Sequence, residues 1–170
     1  MSIAVRNLQQ VVKFNVSQLH FDISLLLKLA GFQSYDLGVM LVCNDEIRKL
    51  NAAYRDTDEV TDVLAFPYHE ISPENAGQIP DVEEMEQMLG DIVLGIPYIY
   101  DESRKHMEHF DSVVLTMVTH GIFHLVGYDH ETQDQWSQMY NKELDILGKF
   151  NKLTGYQCSP LLGVGHYVET

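Results

Sequence analysis

The spacing of three histidines constrains this chain more than any other feature. His120 and His124 are four residues apart, so a helix would place both imidazoles on one face, one turn apart. Gly127 can adopt the left-handed conformation that ends a helix, and the chain can then fold back to bring His130 to the same point. The pattern therefore predicts a helix and a turn that together hold one metal ion.

The residues around the first two histidines predict that their helix is buried. From Val113 to Val126 the chain is apolar on nearly every side, which is typical of a helix covered on all faces. Buried imidazoles need polar partners, and one shared metal ion satisfies both of them. The alternative is a pair of ordinary core or surface histidines at helical spacing. In the core, such a pair would lack polar partners.

Three protein ligands leave one position of a tetrahedral zinc site open to water, which is typical of hydrolytic rather than structural zinc. Because imidazoles are neutral ligands, the ion keeps its full charge, attracts anionic substrates and lowers the pKa of bound water to about 7. Metal-activated water is therefore the expected nucleophile. His120 is expected to be catalytic as well as a metal ligand.

The same histidine spacing occurs in the metzincin proteases, whose motif begins with His-Glu. Position 121 is glycine in this chain, so the glutamate that moves protons during peptide hydrolysis has no counterpart here. A metzincin-like metallopeptidase would need a carboxylate from elsewhere in the chain, and it is the alternative hydrolase.

Composition limits the remaining possibilities. The chain has 170 residues, of which 45% are hydrophobic and 21% charged, as expected of one globular domain. It has no apolar run of about 18 residues that would cross a membrane. Its two cysteines, Cys43 and Cys158, fit a reducing compartment.

The net charge of −14 comes from one part of the chain, because residues 56–103 hold 13 acidic residues and no Lys or Arg. Charge therefore neither requires nor forbids an RNA partner.

Hydrophobic periodicity predicts an α+β fold, a mixed α/β layer with a mostly mixed sheet of about four strands and about five helices. The central buried helix carries two of the metal-ligand histidines. Residues 1–155 are expected to form a single domain, followed by an irregular C-terminal tail at 156–170. Predicted strands are 2–7, 37–43, 60–66 and 89–94, and predicted helices are 18–30, 45–54, 97–106, 113–126 and 132–153.

Four finer expectations concern single residues and one segment. Asn44 is expected to cap the second helix, and Thr132 with Gln135 is expected to open the last helix as a capping box. Asp91, a lone acid in an apolar strand, would either orient a ligand imidazole or form a hydrogen bond within the fold. The acidic stretch at 68–88 is expected to be a surface excursion.

The run from His120 to His130 resembles the signature of the YbeY family, which are metal-dependent endoribonucleases. The family signature, His-Gly-x-x-His-Leu-x-Gly-Tyr-Asp-His, is complete in this chain. The resemblance continues in Tyr54-Arg55, in the block 61–67 and in 89–92, and it covers most of residues 1–155. Ala65 departs from the serine often found in its block.

The resemblance implies that His120, His124 and His130 bind zinc or a similar divalent ion, and that Arg55 is needed for cleavage. A guanidinium can contact two phosphate oxygens and stabilise added charge in a transition state, which suits that role. Without the resemblance, Arg55 fits better as a surface cation that favours the helix dipole.

The resemblance also implies single-stranded RNA as the substrate, within ribosomal RNA maturation and ribosome quality control. Ribosomal RNA precursors and small ribosomal subunit components are the implied partners, and neither a membrane nor DNA is expected. The implied location is mitochondrial for a eukaryotic chain, which the opening residues favour, and cytoplasmic for a bacterial one. The alternative from another class is a non-catalytic ribosome-assembly protein with a structural metal.

Overall fold

The computed structural model describes residues 2–81, 83 and 86–163, and its elements agree with the predicted ones to within a few residues. The described part of the chain contains four strands, five α-helices and one short 3-10 helix. Within those ranges no helix combines the length and the apolar character that crossing a membrane requires. The elements in chain order are β1 (Ile3–Asn7), α1 (Val16–Ala30), β2 (Asp36–Val42), α2 (Asn44–Arg55), β3 (Val63–Pro67), a 3-10 helix (Pro73–Asn75), β4 (Met88–Gly95), α3 (Ile96–Lys105), α4 (Phe110–Leu125) and α5 (Gln133–Thr154).

The four strands form one mixed sheet in the order β1-β2-β4-β3. Strands β1, β2 and β4 are parallel, whereas β3 pairs antiparallel with β4. The predicted mixed sheet with helices is therefore confirmed. Strand β3 is an edge strand, so one of its sides has no strand partner among the described residues.

The histidine helix α4 packs directly on one face of this sheet. Gly121 allows the close approach, because a Cβ at this position would lie 3.0 Å from Ile92 Cδ1 in β4. The other faces of α4 are covered by α1, α3 and α5. His120 is consequently buried, at 4% exposure, as the apolar sequence around it predicts.

The opposite face of the sheet is covered by α2. Ile47 of this helix packs in a cluster with Val42, Leu64 and Val93. Because side chains alternate along a strand, Ile92 faces α4 while Val93 faces α2. The edge strand β3 thus lies between the end of α2 on one side and the histidine helix on the other.

One of the two predicted helix caps is present in the structure. The Thr132 side chain accepts from the Gln135 N–H in the predicted capping box, which is confirmed. Asn44 is not the N-cap of α2, so that prediction is wrong. The helix begins one residue earlier, because the Cys43 carbonyl already accepts the first helical hydrogen bond, from the Ile47 N–H at 3.2 Å. Asn44 is then the first helical residue.

The excursion between β3 and β4 packs against the turn that follows the histidine helix. The Gly77 N–H donates to the Val126 carbonyl at 2.8 Å. Ile71 lies against Gly127 so closely that a Cβ on the glycine would be 2.7 Å from Ile71 Cγ2. The excursion therefore supports the turn from one side.

Residues 156–163 contain no helix or strand, but they are packed against the domain. The Tyr156 hydroxyl donates to Asp22 at 2.8 Å, and its ring stacks on Phe150 with 5.6 Å between centroids. The Trp136 Nε1–H donates to the Leu162 carbonyl at 3.3 Å. The boundary at residue 155 stays a prediction, and residues 164–170 of the predicted tail lie outside the described residues.

Candidate metal centre and cleft

Helix α4 brings the first two histidines together as their spacing predicts. His120 and His124 lie one turn apart, and their Nε2 atoms are 3.0 Å apart. Two ligand atoms on one tetrahedral zinc ion, each about 2.0 to 2.1 Å from it, are separated by a similar distance. The pair is therefore arranged as neighbouring ligands of one ion.

The turn at Gly127 delivers the third histidine. Gly127 has a φ of +101°, and its N–H donates to the His124 carbonyl at 3.1 Å. The Tyr128 N–H then donates to the Phe123 carbonyl at 3.0 Å, which folds the chain back over the helix end. As a result, His120, His124 and His130 each offer a ligand atom within 4.8 Å of the others. The predicted three-histidine cluster is present.

A hydrogen bond behind each of the two helical imidazoles orients its ring. His120 Nδ1 lies 3.0 Å from Glu143 Oε1, and His124 Nδ1 lies 2.9 Å from the Tyr128 carbonyl oxygen. The Tyr128 carbonyl can only accept a hydrogen bond from Nδ1–H, and the ionised Glu143 carboxylate would do the same. With the hydrogen on Nδ1, the lone pair of each ring is on Nε2, where the cluster converges. This is the arrangement by which proteins hold imidazole ligands in position for a metal.

Burial keeps these histidines neutral in the metal-free chain. Burial, followed by the charge of His130, lowers the pKa of His120 to about 4. Burial, followed by the charges of His120 and His130, lowers the pKa of His124 to about 3. Neutral imidazole is the form that binds a metal. Both ligands are therefore available well below neutral pH.

Glu143 is a residue of the candidate site that the sequence analysis did not assign to it. It comes from α5, is 2% exposed, and contacts His120 across 23 residues of sequence. Burial raises its pKa to about 8, and a dication held by His120 would act in the opposite direction. The sequence contains one signal of this role, since Glu143 is an acid on the otherwise apolar face of an amphipathic helix.

Asp91 does not orient a histidine, so that interpretation is wrong. Asp91 is in β4 and pairs with Phe66 of β3. Its side chain lies beside Gly38, on the face of the sheet away from α4. Its neighbour Ile92 is the residue that faces the histidine helix. The alternation of side chains along β4 therefore excludes Asp91 from the metal centre.

Arg55 lies in the same cleft as the three histidines. It is the last residue of α2, is exposed, and forms no ion pair with any described residue. The cleft has a volume of about 1000 Å³ and runs along β3 from the end of α2 to the His130 turn and to Leu161 and Leu162. The structure thus brings a free guanidinium and the histidine cluster into one cavity, although 65 or more residues of sequence separate them.

The remaining charge in the cleft is acidic. Asp62, Asp129 and Glu131 line it, and Arg55 is the one Lys or Arg among the described lining residues. Without an ion, the cleft therefore carries more negative than positive charge. A bound dication would offset that excess and make the cleft suitable for an anionic substrate.

Comparisons with known proteins agree on one family. The model of the family described as "Endoribonuclease YbeY" matches residues 4–151. A Homo sapiens protein named Endoribonuclease YbeY is 37% identical over 162 residues, covering 95% of each chain. A protein of the same name from Desulforamulus reducens is 33% identical over 151 residues, covering 86% of this chain and 95% of that one.

A solved structure supports the fold. The solution structure of a Thermotoga maritima protein superimposes with a TM-score of 0.54, covering 95% of this chain and 100% of that one. Its sequence identity is 23%, so the similarity is one of fold.

Proposed function

Because this chain belongs to the YbeY family of endoribonucleases, we propose that it is a metal-dependent enzyme that cleaves single-stranded RNA during ribosomal RNA maturation. The observation that carries the proposal is the content of the cleft. It contains a cluster of three histidines and an unpaired arginine, and no fourth ligand joins the cluster among the described residues. A structural metal site would have a fourth protein ligand.

His120, His124 and His130 would hold the ion, and we propose that it is zinc. Three convergent imidazoles are a suitable donor set for zinc, as for other late divalent transition metals. When bound, such an ion supplies Lewis-acid charge at the phosphate and lowers the pKa of water. Glu143 and the Tyr128 carbonyl would hold the rings of His120 and His124 in the orientation that binds the ion.

Arg55 supplies the charge that the histidines cannot. Its planar guanidinium can contact two non-bridging oxygens of one phosphate, and these oxygens gain charge as the phosphodiester is attacked. The absence of an ion pair among the described residues leaves the group free to do so. We therefore assign Arg55 and His120 to catalysis, His120 through its contact with the ion.

The metallopeptidase alternative is not favoured. A glutamate at position 121 would place its Cβ 3.0 to 3.2 Å from three side-chain carbons of Ile92, where α4 packs on the sheet. The close packing of helix and sheet thus favours glycine where a metzincin has its proton-transferring glutamate.

The test compares substrates and variants. Purified protein is incubated with single-stranded RNA, duplex RNA, single-stranded DNA and casein, with and without a chelator. We expect cleavage of single-stranded RNA that the chelator abolishes and that zinc restores. Cleavage of casein alone, or RNA cleavage that persists in chelator, would contradict the proposal.

The matched variants use two arginines of the same helix. Arg55→Ala and His120→Ala are expected to lower kcat by about a hundredfold or more. Arg48→Ala is the control, because Arg48 is also exposed on α2 but is paired with Asp58 at 2.8 Å. Equal activities of the Arg55 and Arg48 variants would remove Arg55 from the mechanism.

We also propose ribosomal RNA precursors as the substrate, small ribosomal subunit components as partners, and a mitochondrial location. The similarity to the Homo sapiens relative over 95% of both chains supports the comparison with animal members of the family. Fractionation of cells that express the tagged chain, followed by sequencing of bound RNA, tests these proposals. Recovery of the chain in the cytosol with messenger RNA would contradict them.

A further inference from the structure

Tyr54 is an exposed aromatic side chain inside the cleft. It immediately precedes Arg55 at the end of α2, and 69% of its surface is accessible. A single exposed aromatic residue is ordinary on a protein surface. Tyr54 differs because it lines the same cavity as the three histidines, next to the guanidinium that would bind the phosphate.

The ring of Tyr54 is held in place by a second aromatic residue. The Phe66 ring of β3 meets it edge to face, with 5.2 Å between centroids and 71° between planes. Phe66 is partly buried in the sheet, so it anchors the tyrosine from the side of the protein. Because 69% of Tyr54 stays accessible beside this contact, ring area remains open to the cleft. The hydroxyl of Tyr54 has no hydrogen-bond partner among the described residues.

The backbone after Arg55 fixes where both side chains emerge. Asp56 adopts a left-handed conformation with φ of 55°, and its N–H donates to the Asn51 carbonyl, which ends α2 at this point. The Thr57 hydroxyl donates to the Arg55 carbonyl at 3.1 Å. The helix end therefore presents an aromatic face and a guanidinium side by side.

We propose that Tyr54 is a stacking platform for one unpaired base of the RNA, adjacent to the phosphate held by Arg55. The inference rests on the proposed function and adds to it a residue that selects single strands. A flat ring face next to a phosphate-binding group is the combination that single-strand binding proteins use. In a duplex the bases are stacked and paired with each other, so they are not available to Tyr54.

The first experiment measures kcat and KM on single-stranded RNA. Tyr54→Leu is expected to raise KM about tenfold, within the 5- to 150-fold range typical of one lost stacking contact, and to raise KM more than it lowers kcat. Tyr54→Phe and Tyr54→Trp are expected to retain a KM close to that of the wild type, because each keeps an aromatic face. Equal KM values for the leucine, phenylalanine and wild-type proteins would overturn the proposal.

Tyr68 provides the matched control. It is 49% exposed and meets the His69 ring edge to face at 4.9 Å, yet it does not line the cleft. Tyr68→Leu is therefore expected to leave kcat and KM unchanged. A rise in KM equal to that of Tyr54→Leu would show that the loss of any exposed tyrosine has this effect, and would contradict a specific platform.

The second experiment separates stacking from a structural role. Single-stranded RNAs that each lack one base near the cleavage site are bound to wild-type and Tyr54→Leu protein, and affinity is measured by fluorescence anisotropy. At one position the wild type should lose about tenfold in affinity, whereas Tyr54→Leu should lose none. Equal losses in both proteins at every position would overturn the proposal while leaving the nuclease function intact. A wild-type protein that neither binds nor cleaves RNA would overturn both.

Discussion

A single buried carboxylate lies behind the candidate metal centre. Glu143 contacts His120 Nδ1 at 3.0 Å, and both side chains are almost fully buried, at 2% and 4% exposure. Burying a carboxylate is unfavourable, because the charged form loses its hydration. The contact is explained when His120 binds a dication, since the charge of the ion then favours the ionised carboxylate.

Replacing Glu143 is therefore expected to weaken metal binding more than folding. Glu143→Gln keeps the shape and an acceptor for Nδ1–H but removes the negative charge, so we expect zinc affinity to fall by about 10- to 100-fold. Competition with a chromophoric chelator measures this. Glu102→Gln, at a surface ion pair with Lys105, is the control and should bind zinc as the wild type does. Unchanged affinity in Glu143→Gln would exclude the supporting role.

His124 gives the metal-free protein a characteristic pH dependence. Burial is the main cause that lowers its pKa from 6.5 to about 3. Below the unfolded-state pKa the unfolded chain binds a proton that folded His124 does not bind, so stability is lost as the pH falls. Relative to His124→Gln, the wild-type free energy of unfolding should fall by about 1.4 kcal/mol per pH unit between about pH 6 and pH 4.

Urea unfolding in the presence of a chelator measures that difference. His106→Gln is the control, since His106 is a surface residue whose side chain is 64% exposed. Its unfolding free energy should follow that of the wild type across the same pH range. Parallel curves for His124→Gln and the wild type would show that His124 is not buried in the neutral form.

At the scale of elements, the turn between α4 and α5 is what completes the metal centre. The helix positions two ligands by itself, but the third depends on a left-handed residue and on the contact of Gly127 with Ile71. Glycine adopts that conformation without the clash that a Cβ would cause. The acidic excursion that carries Ile71 is therefore connected to the site through packing.

Gly127→Ala is expected to affect both stability and metal binding. A left-handed alanine is disfavoured by about 1 to 2 kcal/mol, and its Cβ would also lie 2.7 Å from Ile71 Cγ2. The displaced turn should move His130 and weaken zinc binding. Thermal unfolding and zinc titration measure the two effects.

Gly155→Ala separates the backbone effect from the contact. Gly155 has φ of +84°, and no atom lies within 4 Å of a Cβ at its position. This variant should lose only the backbone contribution of about 1 kcal/mol and bind zinc normally. If both alanine variants lost the same stability and kept their zinc affinity, the Ile71 contact would have no role in placing His130.

At the scale of the whole molecule, the charge distribution predicts that an ion is needed for RNA binding as well as for chemistry. The chain has a net charge of −14, and Asp62, Asp129 and Glu131 outnumber Arg55 in the cleft. Such a surface repels an anionic polymer. The dication would offset the negative potential at the point where the phosphate would lie.

Chelation is therefore expected to weaken RNA binding, not cleavage alone. We expect the affinity for single-stranded RNA, measured by rapid-mixing anisotropy before cleavage, to fall about tenfold or more on metal removal. Glu131→Gln should bind RNA more tightly than the wild type in chelator, and Glu46→Gln, exposed on α2 outside the cleft, should not. Equal RNA affinity with and without the ion would contradict this electrostatic role.

Local spacing was enough to predict the histidine cluster, the capping box of α5 and the mixed sheet with its buried central helix. The cluster and the capping box depend on residues within a few positions of each other, where helix and turn geometry alone determines which side chains meet. The sheet was predicted from the order of strands and helices along the chain. The resemblance to the YbeY family added Arg55, which the residues alone favoured as a surface cation. The predicted N-cap of α2, Asn44, was wrong by one residue. The sequence around Asn44 does not show that β2 ends at Val42 and that the helix can begin directly after Cys43.

Tertiary structure alone decided which distant residues complete the site. Packing of α5 on α4 brings Glu143 to His120. Packing of α2 on the other face of the sheet brings Tyr54 and Arg55 to the cleft at the sheet edge. Packing likewise decides which face of β4 meets α4. Ile92 lies on that face, and Asp91 lies on the opposite one, away from the histidine cluster. The sequence determines the helical and strand periodicity of its apolar residues. Only the contacts of the folded chain decide which face of a strand meets which helix, and they bring together groups that are far apart in sequence.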